Sequence, residues 1–527
     1  MPTVAKSKSG ASKARKTSSK GTPPPPDPFD LLCAELRAIA VLESVQRTLS
    51  WDQETLMPAG GSALRADQLQ ALSGMLHERR TSRKFGDLLR ASEEAHASSD
   101  DELVRADLRE LRRDYDKART LPKALVQEIT RTQSLGIEAW KHARQGSNFK
   151  AFLPWLQKTV DLSLEKARCY GVPKGGEPYD PLLDDFEPGM TAAQTREVFT
   201  PLRARLVPLI DRVRRSGARV DDAWLRAPTT PGAQREFCRR VCERVGFDFT
   251  RGRFDDSTHP FCEGIGPGDT RLTNRHREDG WSEALMTALH ESGHGVYEQG
   301  LPKDKHFGRP IAESISLGIH ESQSRMVENF VGRSRPFWQW AFPVAREVFG
   351  DALRGATPDA VWRAMNAVTP GLIRVESDEV TYNLHIMLRF DLECAMLNGD
   401  LRCRDVPGVW NERMKRDLGV EVPDDRRGCL QDIHWSMGIL GYFPTYTFGN
   451  LYAAQFWEQI GRDIKDRDAL MSKGEFAPIL EWLRKKIHRT GKRWRAAELC
   501  RRITRKPLGA DPLMRHLEAK VDAVYGG

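Results

Sequence analysis

The chain has 527 residues, 39% of them hydrophobic, and its 81 Lys and Arg against 73 Asp and Glu give a net charge of +8. That length supports a large buried core and excludes a small disulfide-stapled fold. No apolar run reaches the roughly 18 residues of a membrane-spanning helix, which excludes one.

The first segment, residues 1–26, holds Lys6, Lys8, Lys13, Arg15, Lys16 and Lys20 with no acidic residue, so six of the eight net charges lie there. It is rich in Ser, Ala and Gly and closes on Pro23, Pro24, Pro25 and Pro26. This composition predicts a disordered basic tail ending in a stiff spacer. It has no apolar core of a secretory signal. A passive extension is the simplest role, and weak binding to nucleic acid or a membrane surface is the alternative.

Residues 27–527 read as one mainly α unit. Apolar residues recur three and four apart over 103–117, 192–215 and 337–354, in stretches rich in Ala, Leu, Glu and Arg. Strand-like alternation is scarce, and 247–254 is the one candidate for a short β-ribbon.

The segment 281–297 predicts the helix that matters most. Trp281, Leu285, Leu289 and Val296 give it an apolar face, and His290-Glu291-Ser292-Gly293-His294 spells H-E-x-x-H. Residues four apart stack on one helix face, so His290 and His294 present both imidazoles to one point. Two neutral imidazoles so placed make half of a tetrahedral zinc site. Glu291 lies about 100° round the helix, too close in sequence to be the third ligand and well placed to take a proton from water. Gly293 and Gly295 each cost the helix about 1 kcal/mol relative to Ala, a cost that close approach of another backbone would explain.

The next segment, 310–332, also predicts a helix, with Ile311, Ile315, Leu317, Ile319, Met326, Val327 and Phe330 as its apolar surface. Glu321, in His320-Glu321-Ser322-Gln323, is the leading third ligand, and Glu313 and Glu328 are its competitors. Three protein ligands leave a fourth position for water, as a catalytic site requires. A late basic cluster over 484–506 reads as solvated helix faces anchored in the core by Trp482 and Trp494. Nine dispersed cysteines, an odd number, predict free thiols and a reducing cytoplasm.

These motifs resemble the carboxypeptidase Taq family of metallocarboxypeptidases. His259-Pro260-Phe261 matches its H-P-F, 269–273 its D-x-R-x-T, 373–378 its I-R-x-x-S-D and 428–435 its G-x-x-Q-D-x-H-W. Trp51-Asp52-Gln53-Glu54-Thr55 and the stretch 179–189 extend the resemblance, which covers roughly residues 27–527. It implies a large helical two-lobed zinc-peptidase fold around a deep groove, and release of single amino acids from peptides with a free C-terminus. It implies one divalent ion per chain, zinc first and cobalt or manganese as alternatives, and commonly a homodimer. Related helical zinc peptidases place a His and a later Tyr at the oxyanion, so His434 and Tyr446 are expected there, with Tyr442 as runner-up.

A free carboxylate is best gripped by a guanidinium through two parallel charge-assisted hydrogen bonds. Arg374 is favoured over Arg271 for that task. His259 and Gln323 are expected to help hold substrate or orient ligands, and Asp378, Asp432 and Asp269 either to orient a ligand histidine or to form structural salt bridges. Two other readings stand beside this one. One is a zinc endopeptidase or dipeptidyl carboxypeptidase using the same triad. The other is a helical binding module with a vestigial site and a nucleic-acid-binding tail.

Overall fold

The computed structural model describes residues 26–526, so the tail expected over residues 1–26 lies, except for Pro26, outside the described residues. The fold is almost wholly helical. Four helices open it: α1 (Pro28–Thr55), α2 (Ser62–Thr81), α3 (Arg83–Ala95) and α4 (Glu102–Thr120). Next come α5 (Lys123–Gln145), α6 (Phe149–Tyr170), α7 (Asp180–Leu183), α8 (Ala192–Ser216) and α9 (Pro231–Arg244). A small sheet follows, with β1 (Gly252–Asp256), β2 (Cys262–Gly266) and β3 (Asp269–Asn274) in the order β1-β3-β2. The central helices are α10 (Trp281–Gly300), α11 (Lys303–His306), α12 (Leu317–Arg325), α13 (Arg335–Phe349), α14 (Pro358–Met365), α15 (Tyr382–Asn398) and α16 (Val406–Leu418). The closing set is α17 (Pro444–Asp463), α18 (Arg467–Ser472), α19 (Ala477–Lys486), α20 (Ala496–Thr504) and α21 (Asp511–Tyr525).

Two apolar cores form. The larger runs from α5 to α21 and includes Trp281, Trp338, Phe390, Trp410 and Phe448. The smaller belongs to the first four helices and is built from Phe29, Leu32, Leu36, Leu89, Leu108 and Leu111 among others. Polar contacts fasten this opening unit to the rest. Asp107 receives Arg309 Nε at 2.6 Å and the Ile311 amide at 2.9 Å, and Arg47 donates to the Gly264 carbonyl at 2.8 Å. The Trp51 ring is flanked by the guanidinium groups of Arg253 and Arg271 at 4.7 and 4.3 Å, both within cation–π range.

The helices expected over 103–117 and 192–215 form with slightly wider bounds. The one expected over 337–354 ends at Phe349, because Gly350 turns to a φ of 54° and a 3-10 turn follows. In the ribbon only Gly252–Asp256 is strand, and it pairs in parallel with β3. The continuous helix expected over 310–332 is three pieces. A 3-10 turn spans Pro310–Ala312, Ser316 is extended and caps α12 by accepting from the Ile319 amide at 3.1 Å, and the chain after Arg325 widens into a π turn, Met326–Gly332. The first turn of α12 is fixed from outside. Buried Glu187 accepts the Gly318 amide at 3.0 Å, and burial pushes its carboxyl up to about 7. Trp482 is buried and Trp494 half-buried, with Arg493 and Arg502 over its ring, as expected for core anchors beneath a solvated basic face.

Two glycines set the position of α12. A Cβ at Gly293 of α10 would stand 2.5 Å from both the Gln323 carbonyl oxygen and the Ser324 Cα. A Cβ at Gly449 of α17 would stand 2.4 Å from Glu321 Cγ. The helix carrying Glu321 is therefore held between two neighbours at backbone-contact distance, which only glycine permits.

Candidate metal centre

His290 and His294 lie one turn apart on α10, with ring centroids 4.8 Å apart and planes crossing at 87°. Glu321 enters from α12. Its Oε2 stands 3.8 Å from His290 Nε2 and 3.6 Å from His294 Nε2, and the three donor atoms all lie within 4.8 Å of one another. Ligands about 2.1 Å from a tetrahedral ion are separated by about 3.4 Å, so the spacing fits such an ion with little adjustment.

The outer hydrogen bonds make the case stronger. His290 Nδ1 donates to Glu328 Oε2 at 2.9 Å, which leaves its Nε2 bare and turned inward. His294 Nδ1 meets His320 Nδ1 at 2.6 Å, and His320 Nε2 meets Glu298 Oε1 at 2.9 Å. Glu321 Oε1 accepts Arg325 Nε at 2.6 Å, leaving Oε2 for the centre. Three possible ligand atoms thus face one point, which is what a cation site requires. Burial alone would raise Glu328, but Arg325 at 3.1 Å and His290 reverse this and hold it at about 2. Glu291, buried on the same helix, has its carboxyl lifted to about 7, by burial first and by the nearby Glu321 charge as well.

A second wall carries His434 and Tyr446. His434 Nε2 lies 3.2 Å from the Tyr446 hydroxyl, and its Nδ1 is buried without a partner. Burial pushes His434 down to about 3, so it is a neutral imidazole. Tyr442 joins the cluster, its ring 5.3 Å from that of Tyr446, and the Glu321 charge raises both phenols further after burial. The loop bearing His434 is anchored on buried Glu393, which accepts Trp435 Nε1 at 2.9 Å, the Gly441 amide at 3.1 Å and the Tyr179 hydroxyl at 2.8 Å.

The remaining expected residues divide. Arg374 is buried against this wall, its guanidinium carbon 5.0 Å from the Tyr446 ring centre. It donates to Asp432 at 3.0 and 2.9 Å and to the Tyr382 hydroxyl at 3.0 Å. Arg271 is committed elsewhere, to Asp269 at 2.9 and 2.8 Å and to the Trp51 face. His259 is exposed on the loop before β2. Gln323 is buried, its amide engaged by Ser322 at 2.8 Å and by His488 at 3.0 Å. Asp378 caps a local turn, and Asp432 and Asp269 pair with arginines, the salt-bridge alternative for those two. The groups that touch the imidazoles of His290 and His294 are instead Glu328 and His320. Of the competitors for third ligand, Glu313 pairs with Lys492 at 2.6 Å. The contacts of Glu298, His320 and Arg325 with this cluster were not read from the sequence. The signal for Glu298 was present, since it lies four residues after His294 on the same helix face.

A helix-borne pair of imidazoles completed by a carboxylate from a later helix, beside a buried glutamate, is the site of a metallopeptidase. A sequence model of the carboxypeptidase Taq (M32) metallopeptidase family matches residues 32–521, and the chain belongs to that family. Thermostable carboxypeptidase 1 of Thermus thermophilus is 42% identical over 500 residues, covering 93% of this chain and 97% of that protein. Carboxypeptidase 1 of Bacillus subtilis is 32% identical over 497 residues, covering 94% and 98%. Among solved structures, the M32 carboxypeptidase from Deinococcus radiodurans superposes with a TM-score of 0.91 at 38% identity, covering 95% of this chain and all of that one. A carboxypeptidase from Pyrococcus furiosus gives 0.90 at 35%, covering 94% and 99%. The chain is thus a peptide-hydrolysing enzyme of the metallocarboxypeptidase type, which removes the reading as a vestigial binding module.

Proposed function

We propose that this enzyme releases single amino acids from the free C-terminus of peptides, with His290, His294 and Glu321 holding one divalent cation. The convergence of three possible ligand atoms beside buried Glu291 carries the reading. When bound there, a divalent cation supplies a Lewis acid for the scissile carbonyl and an acidified water. Glu291 takes the proton from the attacking water and delivers it to the leaving amine. His434 and Tyr446 offer an N–H and an O–H to the carbonyl oxygen as it gains charge. Arg374 is our choice for the substrate carboxylate because it shares the wall of His434 and Tyr446, whereas Arg271 lies against Trp51. For Gln323 we propose an indirect role, tying α12 to His488.

Zinc is the proposed ion, since two imidazoles and a carboxylate suit it; the same set also accepts cobalt or manganese. The nine free thiols support a cytoplasmic setting. The family resemblance supports a homodimer. No helix among the described residues is long and apolar enough to cross a membrane.

The test is mass spectrometry of a peptide library after digestion, with and without chelator. Stepwise loss of single C-terminal residues, abolished by chelator and restored by zinc, is the expected result. Loss of dipeptides or internal cleavage, unaffected by C-terminal amidation, would instead favour the dipeptidyl or endopeptidase reading.

A further inference from the structure

We propose that His320 is a positioning residue for the metal centre, the middle of a relay His294–His320–Glu298–Lys303 that fixes the tautomer and ring orientation of His294. This rests on the assignment of His294 as a ligand.

The geometry fits one arrangement of protons that frees His294 to bind an ion. The two Nδ1 atoms of His294 and His320 are 2.6 Å apart, so one proton lies between them. At its other end His320 Nε2 faces Glu298 Oε1 at 2.9 Å, and a carboxylate only accepts, so that nitrogen carries a proton. With its one proton on Nε2, His320 presents a bare Nδ1, and His294 Nδ1–H is the donor. The Nε2 of His294 is left unprotonated, facing Glu321 Oε2 at 3.6 Å. The opposite placement would put a proton on His294 Nε2 and block it as a ligand.

The surroundings hold this relay in place. Lys303 Nζ pairs with the other oxygen of Glu298. His290, His294 and Glu298 follow at four-residue intervals on one face of α10. The edge strand β2 makes room for the Glu298 carboxylate, for a Cβ at Gly264 would stand 2.1 Å from Glu298 Oε2. On its far side the His320 ring rests on Tyr297 with centroids 5.3 Å apart, and the Tyr297 hydroxyl accepts the Ile315 amide at 3.3 Å. The two ligand histidines are thus oriented by different means. His290 uses a carboxylate directly, Glu328, whereas His294 reaches its carboxylate through a second imidazole.

The experiment measures zinc affinity by chelator competition on the full chain, with thermal unfolding of the metal-free protein as control. His320→Leu is expected to weaken zinc binding about 10- to 100-fold while leaving metal-free unfolding near wild type. His320→Asn, which keeps an acceptor for the His294 N–H, is expected to recover part of that loss. Should His320→Leu fail to fold, Glu298→Gln serves, with a smaller loss expected because its carbonyl oxygen still accepts from His320. Wild-type zinc affinity in the folded variants, with His294→Ala strongly impaired, would overturn the relay and leave the ligand assignment intact. Wild-type affinity in His294→Ala would overturn the assignment itself.

Discussion

Replacing Gly293 by Ala sets local propensity against packing. Helix propensity alone favours Ala at this interior position by about 1 kcal/mol. The structure predicts the opposite sign. The new methyl carbon would stand 2.5 Å from the Gln323 carbonyl oxygen and the Ser324 Cα, both backbone atoms that cannot rotate away. Relief to ordinary contact near 3.5 Å requires α10 and α12 to separate by about 1 Å. Overpacking of this kind costs about 1–3 kcal/mol, so after the propensity gain of about 1 kcal/mol a net loss of up to about 2 kcal/mol is expected. The same shift moves Glu321 from the imidazoles, now 3.8 and 3.6 Å from its Oε2, by more than the roughly 0.5 Å tolerance of a preorganised site. Zinc affinity should fall at least about tenfold. Urea unfolding of the metal-free protein reads the first effect and chelator competition the second. A Gly293→Ala protein at least as stable as wild type, with unchanged zinc affinity, would refute the close-approach argument.

Four further outcomes are expected. Glu291→Gln should retain the metal and lose about 10²–10⁴ in kcat, and turnover at the wild-type rate would remove Glu291 from proton transfer. Tyr446→Phe should lower kcat by up to about 10²–10³ with KM little changed; a change confined to KM would assign the phenol to substrate binding instead. Arg374→Ala should abolish discrimination between a peptide and its C-terminal amide, and unchanged discrimination would rule Arg374 out as the clamp. Glu187 has a folded pKa raised to about 7, above its unfolded value near 4.3, so the stability linked to its protonation is full below pH 4 and is lost as pH rises through 7. Glu187→Gln can still accept from the Gly318 amide and should flatten the fall in urea-unfolding stability between pH 5 and 8; an unaltered slope would show that another group sets it.

The sequence carried the helical class and the convergence of His290, His294 and Glu321 because both depend largely on local pattern. His290 and His294 share a face by the pitch of one helix, and Glu321 sits in a recognisable motif on the next. The break between Ala312 and Leu317 was not legible, since its cause is remote. Glu187 reaches from 131 residues upstream in the chain to take the Gly318 amide. The occupation of Arg374 by Asp432 was hidden for the same reason: the two lie 58 residues apart and meet only through tertiary folding. Gly293 was visible as an anomaly in a helix, but its partner across the interface was not.

The opening four helices meet the rest of the chain through ionic and cation–π fastenings, such as Asp107 with Arg309 and Trp51 between two guanidinium groups, while keeping their own apolar nucleus. Asp107 and Trp51 are both buried, so these fastenings are far stronger than exposed pairs and breaking one partner away would leave a charge stranded out of water. The two apolar cores are therefore joined by a buried polar seam rather than by one continuous apolar interior.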